Sequence, residues 1–418
     1  MRLWSKKGLP PTLIPMVCLI IGSGVLLTLF GRSIYQMLEI NAWSLNYLHA
    51  HMGHTQVSLT APDQHLRASL WLARDALARD DPAQARVLVE DLAENGNSAA
   101  LVILGDALAA EGEFAEAIEA WSQAGDILSL LDAAAAARDD GRLADALLAF
   151  RAAYTIDMEK GTLPLATFLW DADIDRNESV ALIRDVLLQY PYSAQPGQRL
   201  AWFRQLGKYL QLQYRWDEAE ATYQDLLKEY PQDWQAYVEL GWVYYKRGDG
   251  LDAALLAFQK ATAVDPSRGD GHYAMAQVLI QEKRYSEADT WFAQAVDLNP
   301  QQKWWWLTWG NVMIESGDLP RALNIYGQTV EKFPDWAPGY YEMAWAYRLA
   351  DSKDRSIEAI EQALALVTPP SEWYYVRAGQ IYEWADDKAE AIAAYREALI
   401  INPLNYYAQQ GLHRLGQE

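Results

Sequence analysis

Three histidines in the amino-terminal part of the chain have a spacing that could support metal chemistry. His49, His51 and His54 form an H-x-H-x-x-H run, which could supply three imidazoles to zinc or copper. On a helix, however, His49 and His51 point about 200° apart, because each residue advances the helix by about 100°. Only His51 and His54 would then share a face. We therefore predict no metal site and no cofactor.

Catalytic and phosphate-binding motifs are absent from the sequence. A phosphate-binding loop needs a glycine five residues before the pair Gly207-Lys208, but Trp202 stands there, and Tyr209 follows the lysine. The sequence contains neither GxSxG nor HExxH. Its one cysteine, Cys18, permits no intramolecular disulfide and no paired-cysteine zinc site. We therefore predict a binding protein and not an enzyme.

The composition is that of a folded, strongly acidic protein. Of the 418 residues, 51% are hydrophobic and 22% are charged, and a disordered chain could not keep so large an apolar fraction in water. The formal net charge is −21. Such a surface repels phosphate backbones, so we predict no nucleic-acid partner. The acidity either serves solubility or favours a basic partner.

An uncharged apolar segment near the amino terminus predicts a membrane anchor. Leu13–Phe30 comprises eighteen residues and, at about 1.5 Å per residue, nearly spans a hydrocarbon core of about 30 Å. Arg2, Lys6 and Lys7 precede it, whereas only Arg32 follows closely. This bias favours a cytoplasmic amino terminus. We expect a single-pass protein of the cytoplasmic (inner) membrane whose remainder faces the extracytoplasmic side.

A cleaved signal peptide is the alternative for this segment. Its apolar core would be unusually long, and Phe30-Gly31-Arg32 is a poor substitute for a small-residue cleavage site, so we favour the uncleaved anchor. Apolar residues then continue at helical intervals, which predicts a stalk beyond the bilayer. The predicted amino-terminal segments are a cytoplasmic end (1–12), a transmembrane anchor (13–31), and a juxtamembrane helical stalk with its linker (32–62).

A small residue recurs along the rest of the chain, near the start of every second predicted helix. From Ala219 onward its spacing is 34 or 35 residues, and prolines follow in step. A fixed period of this length is typical of a helical repeat array. The recurring residues are Ala85, Ala117, Ala146, Ser179, Ala219, Ala254, Ala288, Ala322, Ser356 and Ala391.

These units resemble the tetratricopeptide repeat family. That family pairs an aromatic residue, a Leu-Gly-like pair and a Tyr-like residue on the first helix of a hairpin with Ala, Phe/Tyr and Ala on the second, and proline ends the unit. One unit matches with Tyr237, Leu240, Gly241, Tyr244, Ala254, Phe258, Ala261 and Pro266. The resemblance implies an all-α, right-handed helical solenoid. The apolar segment adds an amino-terminal transmembrane helix to this expected fold. We predict degenerate, alanine-rich repeats over 63–191, a regular array over 192–403 and a capping helix over 404–418.

The resemblance also implies a binding groove. In the family, a few recurring positions on the first helix of each hairpin line the inner surface. Here they hold aromatic, basic and amide side chains, which could bind an extended peptide, a partner helix or a sugar chain. Trp306, Tyr340 and Tyr375 occupy packing positions and are predicted to be core. The predicted groove residues are Arg204, Lys208, Trp242, Tyr245, Tyr273, Gln277, Trp304, Asn311, Tyr341, Trp345, Arg348, Trp373 and Arg377.

Two functions fit these features. The first is a membrane-anchored scaffold that recruits proteins to a membrane or envelope complex. Its layout is similar to that of the lipopolysaccharide assembly protein B group, although the cysteine-rich module of that group is missing. The second is a glycan-handling subunit of an exopolysaccharide or cell-wall assembly machine, because stacked aromatics can hold sugars. The Lys/Asn clamp that some family members use for acidic carboxyl termini is not reproduced, since Lys208 and Asn311 lie three units apart.

Overall fold

The structure is a computed structural model that describes residues 62–193, 195, 197–248 and 250–417, with only the backbone for 62–65. The predicted anchor (13–31), the stalk and the three histidines of the H-x-H-x-x-H run lie outside the described residues. Within the described part, every helix is too short or too polar to cross a bilayer.

Twenty-one helices and no strands make up the described residues, and most helices pack against a neighbour along the chain. The chain divides into two compact units, with the division between Ser179 and Val180, inside α8. The helices that begin before this division are α1 (Pro62–Ala78), α2 (Pro82–Glu94), α3 (Ser98–Glu111), α4 (Phe114–Ala124), α5 (Ile127–Asp139), α6 (Leu143–Ile156), α7 (Met158–Asp171) and α8 (Arg176–Gln189).

The second unit continues with six helical hairpins and one further helix. We call the leading helix of each hairpin a first helix (α9, α11, α13, α15, α17 and α19) and its successor a second helix. The bounds are α9 (Gln198–Leu212), α10 (Trp216–Glu229), α11 (Trp234–Arg247), α12 (Leu251–Val264), α13 (Asp270–Gln281), α14 (Tyr285–Leu298), α15 (Lys303–Ser316), α16 (Leu319–Lys332), α17 (Ala337–Leu349), α18 (Lys353–Leu366), α19 (Glu372–Ala385), α20 (Lys388–Ile401) and α21 (Tyr406–Arg414).

Small side chains give the first unit its open packing. Its core is dominated by alanines that are fully buried, including Ala85, Ala117 and Ala146. The helix α5 carries five consecutive alanines, whose side chains are too short to fill the space beside them. Clefts of about 590 Å³ and 740 Å³ consequently lie along α5.

Close helix crossings organise each hairpin of the second unit. The recurring small residues are completely buried there, as at Ala288 and Ala322. Opposite them, a glycine of the first helix receives an aromatic ring of the second: a Cβ added to Gly310 would stand 2.4 Å from the Tyr326 ring, and one added to Gly241 would stand 2.4 Å from Phe258. The glycine, the aromatic ring and the small residue therefore form one interlocking set in the hairpins that carry Gly207, Gly241, Gly310 and Gly379, whereas alanine stands at the glycine position of the other two hairpins.

The ends of the helices follow ordinary capping chemistry. The Asp233 carboxylate accepts a hydrogen bond from the Ala236 amide at 2.8 Å and so caps α11, and the Asp318 carboxylate does the same for Arg321 in α16. The second helices end one to three residues before a proline, as α12 does before Pro266, because proline has no amide hydrogen to continue the helix.

Candidate binding groove

All thirteen predicted groove residues lie on first helices of the second unit, from α9 to α19. None of them is fully buried, and several are large aromatic residues that would ordinarily be core. We refer to this set of residues and the side chains that contact them as the first-helix face.

Ring contacts connect the first-helix face from one hairpin to the next. Tyr273 of α13 stacks on Trp305 of α15, with ring centroids 4.8 Å apart and planes 13° apart. Trp304 of α15 meets the edge of Trp336, the residue before α17, at 5.1 Å. Offset and edge-to-face geometries of this kind are the favoured arrangements of aromatic pairs. These contacts tie neighbouring hairpins together as well as furnishing the surface.

The row of rings continues to the end of the unit. Tyr341 of α17 lies 4.5 Å from Tyr374 of α19, and Trp373 of α19 lies 5.9 Å from Tyr407 of α21. Burial raises the pKa of Tyr374 to about 12, so its hydroxyl stays protonated throughout the physiological range. The face is therefore a neutral aromatic surface at these positions.

Two kinds of aromatic residue share this face. Trp242 packs edge-on against the buried Phe258 at 5.3 Å, and together with Tyr245 it covers the core of its hairpin. Trp304 and Trp373, in contrast, keep 65% and 51% of their surfaces exposed. The fold therefore relies little on the rings of Trp304 and Trp373 for packing, whereas Trp242 also stabilises the hairpin.

Several predicted polar residues are already engaged within the protein. The Arg204 guanidinium binds the Asp233 carboxylate at 2.5 Å, which links α9 to the cap of α11. The Asn311 side-chain oxygen accepts a hydrogen bond from the Tyr326 hydroxyl at 2.5 Å. Lys208 is exposed and makes no ion pair with the described residues. Arg204 and Asn311 thus hold the hairpins, while the Lys208 ammonium is available to a partner.

A cluster on α17 and α19 concentrates positive charge beside aromatic rings. The Arg377 guanidinium carbon lies 3.8 Å from the centroid of Tyr341 and 4.9 Å from that of Trp345, and its Nη1 donates to Glu342 Oε2 at 3.1 Å. Burial raises the pKa of the Tyr341 hydroxyl, and the charge of Arg377 opposes that rise. The Arg348 guanidinium carbon lies 4.4 Å from the Trp345 ring. Each guanidinium is thus held over an aromatic ring.

The three aromatic residues predicted to be core differ in their burial. Trp306 is buried, and its indole nitrogen donates to the Pro300 carbonyl at 3.1 Å. Tyr340 and Tyr375 are partly buried and pack against the core that surrounds α18 to α20. All three therefore contribute to packing, as their repeat positions indicate.

Other members of the first-helix face fall outside the positions carried over from the family. Trp305 and Tyr374 stand one residue after predicted groove residues, and Trp336 precedes its helix. Tyr407 lies 34 residues after Trp373, so the repeat period itself could have revealed it. Glu342, which neutralises Arg377, could not be paired with it from sequence spacing alone.

The described structure is thus a helical-hairpin repeat protein with an aromatic first-helix face. One tetratricopeptide repeat model matches residues 70–126, 204–261 and 249–303, and a second tetratricopeptide repeat model matches residues 374–403. The chain contains tetratricopeptide repeats over these residues, which confirms the prediction made from its repeat pattern.

Curated relatives share the repeats over part of their lengths. The chain is 30% identical over 148 residues to the human protein O-mannosyl-transferase TMTC3, an alignment that covers 34% of the chain and 16% of that protein. It is 24% identical over 235 residues to the TPR repeat-containing protein MJ1428 of Methanocaldococcus jannaschii, covering 54% of the chain and 37% of that protein. The chain thus matches much less than two thirds of either relative.

Solved structures also match part of the chain. A tetratricopeptide repeat protein from Parabacteroides merdae is 17% identical, with a TM-score of 0.41, and the match covers 62% of the chain and 99% of that structure. PilW, described as a widely conserved type IV pilus biogenesis factor, is 18% identical with a TM-score of 0.42, covering 50% of the chain and 96% of that structure.

Proposed function

We propose that the chain is a scaffold whose first-helix face binds extended segments of partner proteins. The observation that carries this proposal is the exposure of Trp304 and Trp373, at 65% and 51%, beside rings that are themselves packed. Large aromatics left in water on an ordered surface are the residues that most often dominate binding energy at interfaces.

The rigidity of the face supports binding of a peptide. Ring contacts and the Arg204–Asp233 ion pair hold the first helices to each other, so a partner would find these anchors already placed. Preorganised anchors reduce the entropy that binding must overcome. The exposed ammonium group of Lys208 would donate hydrogen bonds to the carbonyl groups of an extended chain. The proposal assigns no chemical step to the protein.

The location of the scaffold is part of the proposal. We place the anchor at residues 13–31 and the repeats on the extracytoplasmic side of the cytoplasmic membrane, on the basis of the basic residues Arg2, Lys6 and Lys7. A scaffold held there would assemble a membrane or envelope complex and would leave the first-helix face open to its components.

A glycan is the second candidate occupant. Exposed indoles such as Trp304 and Trp373 could stack on sugar rings, which is the observation in its favour. Sugar recognition also needs free polar groups beside the ring, however, and the nearby Asn311 oxygen already accepts from Tyr326. We therefore favour the peptide.

Co-isolation of partners from detergent extracts of the native cells tests the function. The tagged full chain is compared with a Trp304→Ala/Trp373→Ala variant, and Leu256→Ala serves as the control, because Leu256 is 54% exposed on the second helix α12. We expect the double variant to lose the co-isolated proteins and the control to keep them. Equal recovery with all three chains would contradict the assignment, and loss of a polysaccharide alone would favour the glycan.

A further inference from the structure

Arg348 differs from the other arginines of the first-helix face in having no carboxylate. Its guanidinium carbon lies 4.4 Å from the Trp345 ring and 6.0 Å from the Trp384 ring, so that two indoles hold it in place. Its Nε is buried and has no hydrogen-bond partner. A guanidinium carries five N–H donors, and aromatic faces satisfy few of them.

The acidic residues near Arg348 are committed to other partners. Glu342 accepts a hydrogen bond from Arg377 at 3.1 Å. Glu383 accepts hydrogen bonds from Nε and Nη2 of Arg414, each at 2.8 Å, and from the Tyr395 hydroxyl at 2.8 Å. The charge of Arg348 helps to lower the pKa of Glu383, but among the described residues no carboxylate forms an ion pair or a hydrogen bond with Arg348.

We propose that Arg348, flanked by Trp345 and Trp384, is a carboxylate-binding site for an acidic group of the bound peptide. This inference rests on the proposed function and specifies the partner that the same face selects. Because Nε is buried, a carboxylate would approach the edge formed by Nη1 and Nη2 and accept two parallel hydrogen bonds from them. The adjoining indoles would contact the apolar residues on either side of the acidic one.

The surrounding charges favour a carboxylate over a phosphate at this site. Glu342 and Glu383 both lie close to the guanidinium cluster and would repel a dianion more strongly than a monoanion. The acidic chain as a whole also repels polyanions. A single carboxylate, carried by an aspartate, a glutamate or a free carboxyl terminus, is the anion that the site accepts most readily.

Peptide selection on the full chain tests the inference. A displayed library of random twelve-residue peptides is selected on the wild-type protein, and enriched peptides are then synthesised with the acid, with the matching amide and with phosphoserine at the same position. Free and amidated carboxyl termini distinguish a side-chain carboxylate from a terminal one. Binding is measured by fluorescence anisotropy at about 0.15 M salt, because screening weakens exposed charge pairs.

Substitution of Arg348 in the protein complements the changes made to the peptide. In the wild type, we expect the acid form to bind at least about tenfold more tightly than the amide and phosphoserine forms. Arg348→Gln should make the acid and amide forms equal, and Arg348→Lys should restore part of the difference. The control is Arg355→Gln, because Arg355 lies over Tyr347 on the second helix α18, is exposed, and makes no ion pair with the described residues.

The outcomes separate this inference from the function on which it rests. Peptides that lose binding with Trp304→Ala/Trp373→Ala, but bind equally well in acid and amide forms, would overturn the carboxylate site and leave the scaffold standing. A preference for acid that persists in Arg348→Gln would also overturn it. Failure to enrich any peptide would count against both proposals.

Discussion

Replacing Gly310 by alanine should destabilise the second unit, although alanine is the better helix former. Gly310 lies within α15, where the ring of Tyr326 crosses it. The added Cβ would stand 2.4 Å from Cε1 and 2.6 Å from Cζ of that ring. Tyr326 is 1% exposed, and its hydroxyl is fixed to Asn311, so the ring has little room to move.

Two destabilising contributions and one stabilising contribution set the change in the free energy of unfolding. Overpacking a tight interior costs about 1–3 kcal/mol, and displacing the ring also weakens the hydrogen bond to Asn311, which contributes about 1 kcal/mol. The higher helix propensity of alanine returns about 1 kcal/mol. We therefore expect Gly310→Ala to lower the free energy of unfolding by about 1–3 kcal/mol.

Gly327→Ala is the matched control because Gly327 lies in the interior of the adjacent helix α16. A Cβ added there meets nothing within 4 Å. Propensity alone then acts, and this variant should gain about 0.5–1 kcal/mol. The assay is urea denaturation of the full chain followed by circular dichroism, with the midpoints compared at unchanged slope.

Both substitutions replace glycine by alanine inside a helix. Opposite changes in the free energy of unfolding would therefore arise from the contact with Tyr326 at the helix crossing. A lowered midpoint for Gly310→Ala and a raised midpoint for Gly327→Ala would support the interlocking set of glycine, ring and small residue. Equal shifts, or a stabilised Gly310→Ala, would refute the close approach of Tyr326 and with it the placement of the repeats.

Three further predictions concern stability, pH and topology. In a denaturant melt, Trp242→Ala should lower the free energy of unfolding by about 2–4 kcal/mol and Trp304→Ala by less than about 1 kcal/mol, because only the ring of Trp242 covers a core. Equal losses would contradict the distinction between packed and exposed aromatic residues. Arg414 lowers the pKa of Glu383, so their pair stabilises the fold above the ordinary glutamate pKa of about 4.3 and is lost as the pH falls through the lowered value. The midpoint difference between wild type and Arg414→Ala should therefore be larger at neutral pH than near pH 2, and a constant difference would contradict it. A reporter fused after Glu418 should be active only outside the cytoplasm, and cytoplasmic activity would reverse the proposed orientation.

The repeats could be predicted from the sequence because their packing is local and periodic. The small residue at Ala288 and the glycine and ring at Gly310 and Tyr326 recur at a fixed spacing, since each hairpin solves the same packing problem. The repeats of the first unit are harder to predict, because alanine both marks the repeat and occurs at many other positions around α5. Its division from the second unit, between Ser179 and Val180, falls inside a helix and has no breaker residue to mark it.

The first-helix face was only partly predictable. Its positions follow from the period, but burial does not, because it depends on which ring the neighbouring hairpin supplies. Trp242 and Trp304 are both tryptophans of first helices, yet the ring of Trp242 packs against the buried Phe258, whereas the ring of Trp304 meets the edge of Trp336. The isolation of Arg348 likewise appears only once Glu383 is seen to bind Arg414.

Photo-crosslinking in living cells tests the binding face most directly. A benzophenone amino acid placed at Trp304, which is 65% exposed on a first helix, is compared with the same residue placed at Leu256, which is 54% exposed on a second helix. We expect a partner protein to be crosslinked to the full chain at position 304 and not at position 256. Crosslinking at position 256 without crosslinking at position 304 would contradict it.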